Sequence, residues 1–220
     1  MWRKRMMKVL TIANRKGGAG KSTCAAHLAV EASKSGLKTI IIDMDPQKTL
    51  EGWWQNRIDD DIQLLEVSSL ELPDKIEVLM NKGFDLCIID TPGDVSENAL
   101  SGIGVADLVL IPSKPTAPDL SAIGRTINIV EQNKKKFAFV ITQAVSSTKS
   151  TFQASSVLSG FGAVAPSAIS NRVSYQRAMG QGGDAGESDR SAQEEIESVW
   201  GFVHSRLFDV VKNNKEKLKA

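Results

Sequence analysis

A glycine-rich turn between an apolar run and a helical pattern constrains this chain more than any other feature. Val9-Leu10-Thr11-Ile12-Ala13 reads as a buried strand, and Cys24-Ala25-Ala26-His27-Leu28-Ala29-Val30 reads as a helix. Between them lies Lys16-Gly17-Gly18-Ala19-Gly20-Lys21-Ser22-Thr23. A turn of this kind lets successive backbone N–H groups close around a phosphate at the positive end of the helix dipole. Gly17, Gly18 and Gly20 permit the tight path, Lys21 reaches the β- and γ-phosphates of a nucleotide, and the Ser22 hydroxyl is placed to hold Mg²⁺. The usual phosphate loop, Gly-x4-Gly-Lys-Ser/Thr, is met in its second half at Gly20-Lys21-Ser22. Arg15 stands where its opening glycine belongs, and a second lysine, Lys16, begins the loop.

Two more segments end in carboxylates. Lys38-Thr39-Ile40-Ile41-Ile42-Asp43-Met44-Asp45-Pro46-Gln47 is a β-branched run that closes on Asp43 and Asp45. Phe84-Asp85-Leu86-Cys87-Ile88-Ile89-Asp90-Thr91-Pro92-Gly93 closes on Asp90. Strands of a parallel sheet deliver such residues to the carboxyl edge, where ligands bind. One aspartate at a strand end is commonly just a cap or turn residue, but three motifs in this order argue against that reading.

Together they resemble the ParA/MinD family of ATPases, whose deviant Walker A loop reads Lys-Gly-Gly-x-Gly-Lys-Ser/Thr. The likeness implies a P-loop NTPase fold, with ATP and Mg²⁺ as cofactors. It implies that Lys16 reaches across a dimer interface to the partner's nucleotide. Asp45 would orient or deprotonate the attacking water, Asp43 would support the Mg²⁺ shell, and Asp90, on the Walker B strand, would lie near Mg²⁺ through water. The phosphate contacts would come from Lys16 through Thr23, Ala19 included.

Composition sets the outer limits. The 220 residues suit one core, at about 100–200 residues per domain. Apolar residues make up 41% and charged ones 24%, the balance of a globular chain. No apolar stretch approaches the roughly 20 residues of a membrane span. Met1-Trp2-Arg3-Lys4-Arg5-Met6 is basic but leads into no apolar signal core, so a cytoplasmic protein is expected. The boundaries read as a basic tail at 1–7, one ATPase domain at 8–212 and a lysine-rich tail at 213–220. The net charge of +1 makes no global case for nucleic acid, so any DNA binding needs a local patch. Cys24 and Cys87 sit in a helix and a strand with no ligand partner at short spacing, and read as core residues. That disfavours iron–sulfur electron carriers and cluster-assembly ATPases of related architecture.

Strand patterns at 8–13, 38–43, 62–67, 85–90, 107–112 and 137–142, with a weaker one at 163–169, alternate with helical patterns. The helices are expected at 21–35, 47–58, 72–82, 96–105, 117–133, 150–159 and 190–212. The alternation predicts an α/β fold, a mostly parallel sheet with helices on both faces. Gly180-Gln181-Gly182-Gly183-Asp184-Ala185-Gly186 reads as the one flexible stretch, a loop rather than a linker. The length leaves no room for the N-terminal helix-turn-helix region of larger ParA proteins, so the resemblance is to the small ParA type.

Later segments carry finer expectations. Ile111-Pro112-Ser113-Lys114-Pro115-Thr116-Ala117-Pro118-Asp119 resembles a family loop near the dimer interface, and reads equally as a proline-rich connection. Phe137 to Gln143 resembles the family strand whose end approaches the base, which implies that Gln143 would touch adenine. Guanine specificity is not supported, because Asn133-Lys134-Lys135-Lys136 lacks the aspartate of Asn-Lys-x-Asp and precedes the strand. Ile169 to Ala178 resembles the segment that supplies basic residues for sequence-independent DNA binding. Arg172 and Arg177 are the candidates, and solvated surface arginines are an equal reading. Lys134-Lys135-Lys136 suits a helix C-terminus. Val199, Trp200, Val203, Leu207, Val210 and Val211 have the spacing of a helix packed on a core, and the tail beyond has one large apolar residue, which disfavours membrane insertion.

The resemblance therefore implies an ATP-dependent homodimer that binds non-specific DNA, is released by hydrolysis that a centromere-binding adaptor stimulates, and is associated with the nucleoid. The alternatives are a MinD-type positioner of membrane or protein cargo and a ligase-type biosynthetic enzyme on the same scaffold.

Overall fold

The computed structural model describes residues 7–145 and 148–208. The chain runs β1 (Lys8–Ile12), α1 (Lys21–Lys34), β2 (Thr39–Asp43), α2 (Thr49–Gln55), β3 (Ile62–Leu64), α3 (Leu72–Asn81), β4 (Leu86–Asp90) and α4 (Glu97–Val105). It continues with β5 (Leu108–Ser113), α5 (Ala117–Gln132), β6 (Phe137–Ala144), α6 (Lys149–Ser159), β7 (Ile169–Ser170), α7 (Val173–Gln181), a 3₁₀ turn at Ala185–Glu187 and α8 (Arg190–Phe208). The seven strands form one sheet in the order β3-β2-β4-β1-β5-β6-β7. Every pairing described is parallel, as expected for strands joined through helices.

The strand sequences explain the layering. Both β2 and β4 are buried at every position, which requires cover on both faces. Side chains alternate between faces with period two. Leu86 and Ile88 join the core under α1, α7 and α8, whereas Cys87 and Ile89 join the core under α3. A third core packs α5 and α6 against Val109, Ile111 and Phe139. Helix α1 is buried along most of its length, and its alanines let it lie close to the sheet. Both cysteines are core residues as expected, and burial pushes both thiols up.

Several boundaries differ from the sequence reading. Strand β3 has three residues, because only Ile62 of it is fully buried and the chain then leaves the sheet. The pattern at 163–169 reduces to a bridge between Val164 and Phe139 and the two-residue β7. Helix α7 was not expected: only Tyr175 and Ala178 of it are buried, too few to print a helical period. The glycine-rich stretch is not a flexible loop. Asp184 in it is buried and pairs with Lys34 at 2.5 Å, and Trp53 Nε1 donates to Gly183 O at 3.0 Å. Met7, assigned to the N-terminal tail, is buried beside Val9 and Ile40. The remainder of that tail, the lysine-rich tail and the last turn expected of the C-terminal helix lie outside the described residues.

Candidate nucleotide site

Parallel register sets three carboxyl-terminal strand ends side by side. Ile12 of β1 and Asp43 of β2 both lie opposite Asp90 of β4. The crevice outside these ends, where the chain order reverses around β1, is where open α/β sheets bind ligands.

The phosphate loop spans this crevice. Gly18 and Gly20 have φ of +69° and +84°, which a β-carbon resists. Gly20 precedes α1, whose first turn has no side-chain cap and no acidic residue, so its N–H groups face the crevice ready for an anion. The loop is held from the far side by β6: Thr142 Oγ1 donates to Ala19 O at 2.8 Å, and Gln143 Nε2 donates to Gly18 O at 2.9 Å. Gly93 lies against it, where a β-carbon would come within 3.2 Å of the Gly17 backbone. Lys21 is 6% exposed and forms no ion pair among the described residues, which leaves its charge for a ligand. Lys16 is exposed at the loop's start.

Ser22 Oγ donates to Asp90 Oδ2 at 2.5 Å. Asp90 is fully buried, and its Oδ1 has no hydrogen-bond partner. Burial, with the nearby charge of Asp43, pushes its carboxyl up to about 7 against the opposing bond from Ser22. An orphaned buried carboxylate oxygen beside a hydroxyl suits a hard cation such as Mg²⁺. Among the described residues no group of three or more His, Cys, Asp or Glu could hold a metal by itself.

Asp43, expected to support the metal shell, also binds the backbone beyond its own strand. Its Oδ1 accepts from Asp45 N at 3.0 Å and its Oδ2 from Glu51 N at 2.9 Å, so both oxygens help fix the backbone that follows β2. Burial raises its pKa. The turn it fixes presents Asp45, half-buried, whose Oδ1 accepts from Gln47 N at 3.0 Å. Asp45 and Gln47 line a recess of about 220 Å³ with Lys21 and Ser22.

That recess shares Gly20, Thr23, Thr49 and Gln143 with a second one of about 310 Å³. The second is walled by Ile169, Asn171, Tyr175 and Met179, with Arg172 at its side. One cleft thus offers a phosphate end and a flat, partly apolar end of the size a base and sugar need. The sequence reading found Gln143 here and missed the other four. Their one signal was their position in and just after the last strand, at the same sheet edge.

Arg172 is not a free surface charge. Its Nε and Nη2 donate to Glu195 Oε1 at 3.0 and 2.8 Å, and Nη1 lies 3.6 Å from Asp189. The bond to Glu195 raises its pKa further. Glu195 also accepts from Ser170 N, Ser170 Oγ and Tyr175 OH, tying α8 to the wall of the base-side recess. Arg177, on the same helix α7, is exposed. The two arginines are not brought together as one free basic pair.

A family model described as the CobQ/CobB/MinD/ParA nucleotide binding domain matches residues 10–179. Protein ParA of Rhizobium radiobacter is 29% identical over 141 residues, covering 63% of this chain and 63% of that protein, less than two thirds of its length. Maintenance of carboxysome distribution protein A of Halothiobacillus neapolitanus is 26% identical over 206 residues, covering 88% of this chain and 95% of the relative. Among solved structures, apo McdA from Cyanothece superposes with a TM-score of 0.76 at 21% identity, covering 90% of this chain and 99% of that one, a likeness of fold.

Proposed function

The chain belongs to the CobQ/CobB/MinD/ParA nucleotide-binding family, and on that premise we propose that it is a Mg²⁺-dependent ATPase that positions cargo. The observation that carries the reading is the cleft itself: an uncapped helix start, a buried Lys21 with no ion pair among the described residues and the Ser22–Asp90 pair with its orphaned oxygen, all continuous with a base-sized recess. Ser22 and Asp90 would hold Mg²⁺, which when bound neutralises phosphate charge. Lys21 offsets the β/γ charge, and Asp45 orients the attacking water in the same recess. Lys16, exposed at the mouth, completes the site of a second copy in an ATP-dependent homodimer.

The dimer binds DNA without sequence preference, and hydrolysis stimulated by a centromere-binding adaptor releases it, so the protein works on the nucleoid. Arg177 is the better of the two candidate phosphate contacts, since Arg172 is already paired. Protein cargo is the second reading, favoured by the match that spans 95% of a carboxysome-distribution protein. No helix among the described residues is long and apolar enough to cross a membrane.

Binding to a non-specific DNA duplex, compared with ATP, a slowly hydrolysed analogue, ADP and no nucleotide at fixed salt, tests this reading. Binding confined to the ATP-like states is expected. An ATP-dependent dimer with no affinity for DNA in any state would remove DNA from the mechanism.

A further inference from the structure

Helix α5 buries a stripe of Ile123, Thr126, Ile127 and Val130. Thr126 is the polar member, 2% exposed, and a hydroxyl at that depth needs partners. Both lie at the start of the phosphate loop. Its Oγ1 accepts from Arg15 N at 3.3 Å and donates to Asn14 Oδ1 at 3.3 Å. Asn14, 4% exposed, accepts from Lys16 N at 3.0 Å with the same Oδ1 and donates through Nδ2 to Pro112 O at 2.6 Å. One hydroxyl therefore fills an acceptor and a donor role at once, and the backbone of residues 14–16 follows from it.

This anchor is separate from the one that shapes the phosphate cradle. Gly18 and Ala19 are held by Gln143 and Thr142 of β6, and Gly17 rests on Gly93. The loop thus has two independent supports, one for the segment that cradles phosphate and one for the segment that carries Lys16. We propose that Thr126 is a positioning residue for Lys16: its hydroxyl sets the path of Asn14–Lys16 and so the direction in which that lysine leaves the loop. The proposal rests on the reading of Lys16 as the lysine that completes a second copy's site.

Thr126→Val keeps the shape and removes both hydrogen bonds, and Thr126→Ser keeps both. The test compares these two, Lys16→Ala and the parent in three measurements. They are ADP affinity, ATP-dependent dimerisation by sedimentation, and backbone amide exchange at Arg15 and Lys16 in the nucleotide-free protein. For Thr126→Val the dimer should weaken about tenfold, as the loss of such bonds implies. Exchange at Arg15 and Lys16 should speed up by a similar factor, ADP affinity should stay within about twofold, and Thr126→Ser should behave as the parent. Equal losses of ADP affinity and dimerisation would mean that the hydroxyl holds the whole loop, and would overturn the proposal. So would unchanged exchange at Lys16. If Lys16→Ala dimerises like the parent, the reading of Lys16 fails instead, and the exchange rates alone then decide whether Thr126 sets the loop's path.

Discussion

Lys21 and Asp45 share one recess, and substitution should separate the binding role proposed for the first from the hydrolytic role proposed for the second. Lys21 is buried with no ion pair among the described residues, an arrangement that an arriving anion would stabilise. Lys21→Ala should therefore lower ATP affinity by roughly tenfold to a hundredfold, the worth of a charge-assisted hydrogen bond, read by calorimetric titration. Asp45 lies on the turn that Asp43 fixes, across the recess shared with Lys21 and not on the phosphate loop itself. Asp45→Ala should leave ATP affinity nearly intact and slow hydrolysis by at least about a hundredfold, trapping an ATP-bound dimer. Normal turnover in that variant would remove Asp45 from the chemistry. Asp43→Asn tests the other assignment. An amide keeps one acceptor but cannot take both backbone bonds, so the turn bearing Asp45 should loosen and hydrolysis should fall more than nucleotide affinity.

At the scale of elements, the contact between the end of α2 and the end of α7 ties α2 to the helix that walls the base-side recess. Trp53 Nε1, Asn56 Nδ2 and Arg57 Nη1 donate to the carbonyls of Gly183, Gly180 and Gly182. Gly182 ends α7 with φ of +72°, and a β-carbon there would run into the backbone of Asn56 and Arg57. Gly182→Ala should cost more than about 1 kcal/mol, a fall of at least about 2–4 °C in Tm for a chain of this size. Gly180 lies inside the same helix with open space where a β-carbon would point. Gly180→Ala should leave Tm unchanged or raise it slightly. Equal effects at the two positions would mean that the clamp is not tight.

Over the whole molecule, Glu195 joins α8, β7 and α7. Burial pushes its carboxyl up, but the bonds from Arg172 and Ser170 outweigh that and hold it below the ordinary value of 4.5. A depressed carboxyl adds stability above the unfolded value, and loses it as pH falls through the folded one. Glu195→Gln should thus cost about 2 kcal/mol at pH 7, with the gap to the parent closing as pH is lowered from 4.5, read by denaturant titration across pH. The same network separates the two arginines. Arg172→Glu faces Glu195 and Asp189 with a third acid and should lower Tm, whereas Arg177→Glu should lower DNA affinity with Tm unchanged.

The phosphate loop, the two strand-end aspartate motifs and the alternation of strands and helices were legible in the sequence. Each is a local pattern: glycine where φ turns positive, β-branched runs where both faces are covered, a lysine and a serine at fixed offsets. The place of Asp90 beside Asp43 follows the same logic, since register sets these strand ends at one edge. Tertiary structure decided what those patterns touch. The second half of the cleft comes from Ile169, Asn171, Tyr175 and Met179, about 150 residues from the loop they complete, and no local period marks them. The commitments of Asp43 to backbone and of Arg172 to Glu195 were equally invisible, because a charged side chain looks the same in sequence whether it meets solvent or a partner. Local chemistry is written residue by residue, whereas the partner of a buried polar group depends on which distant segment the fold brings beside it.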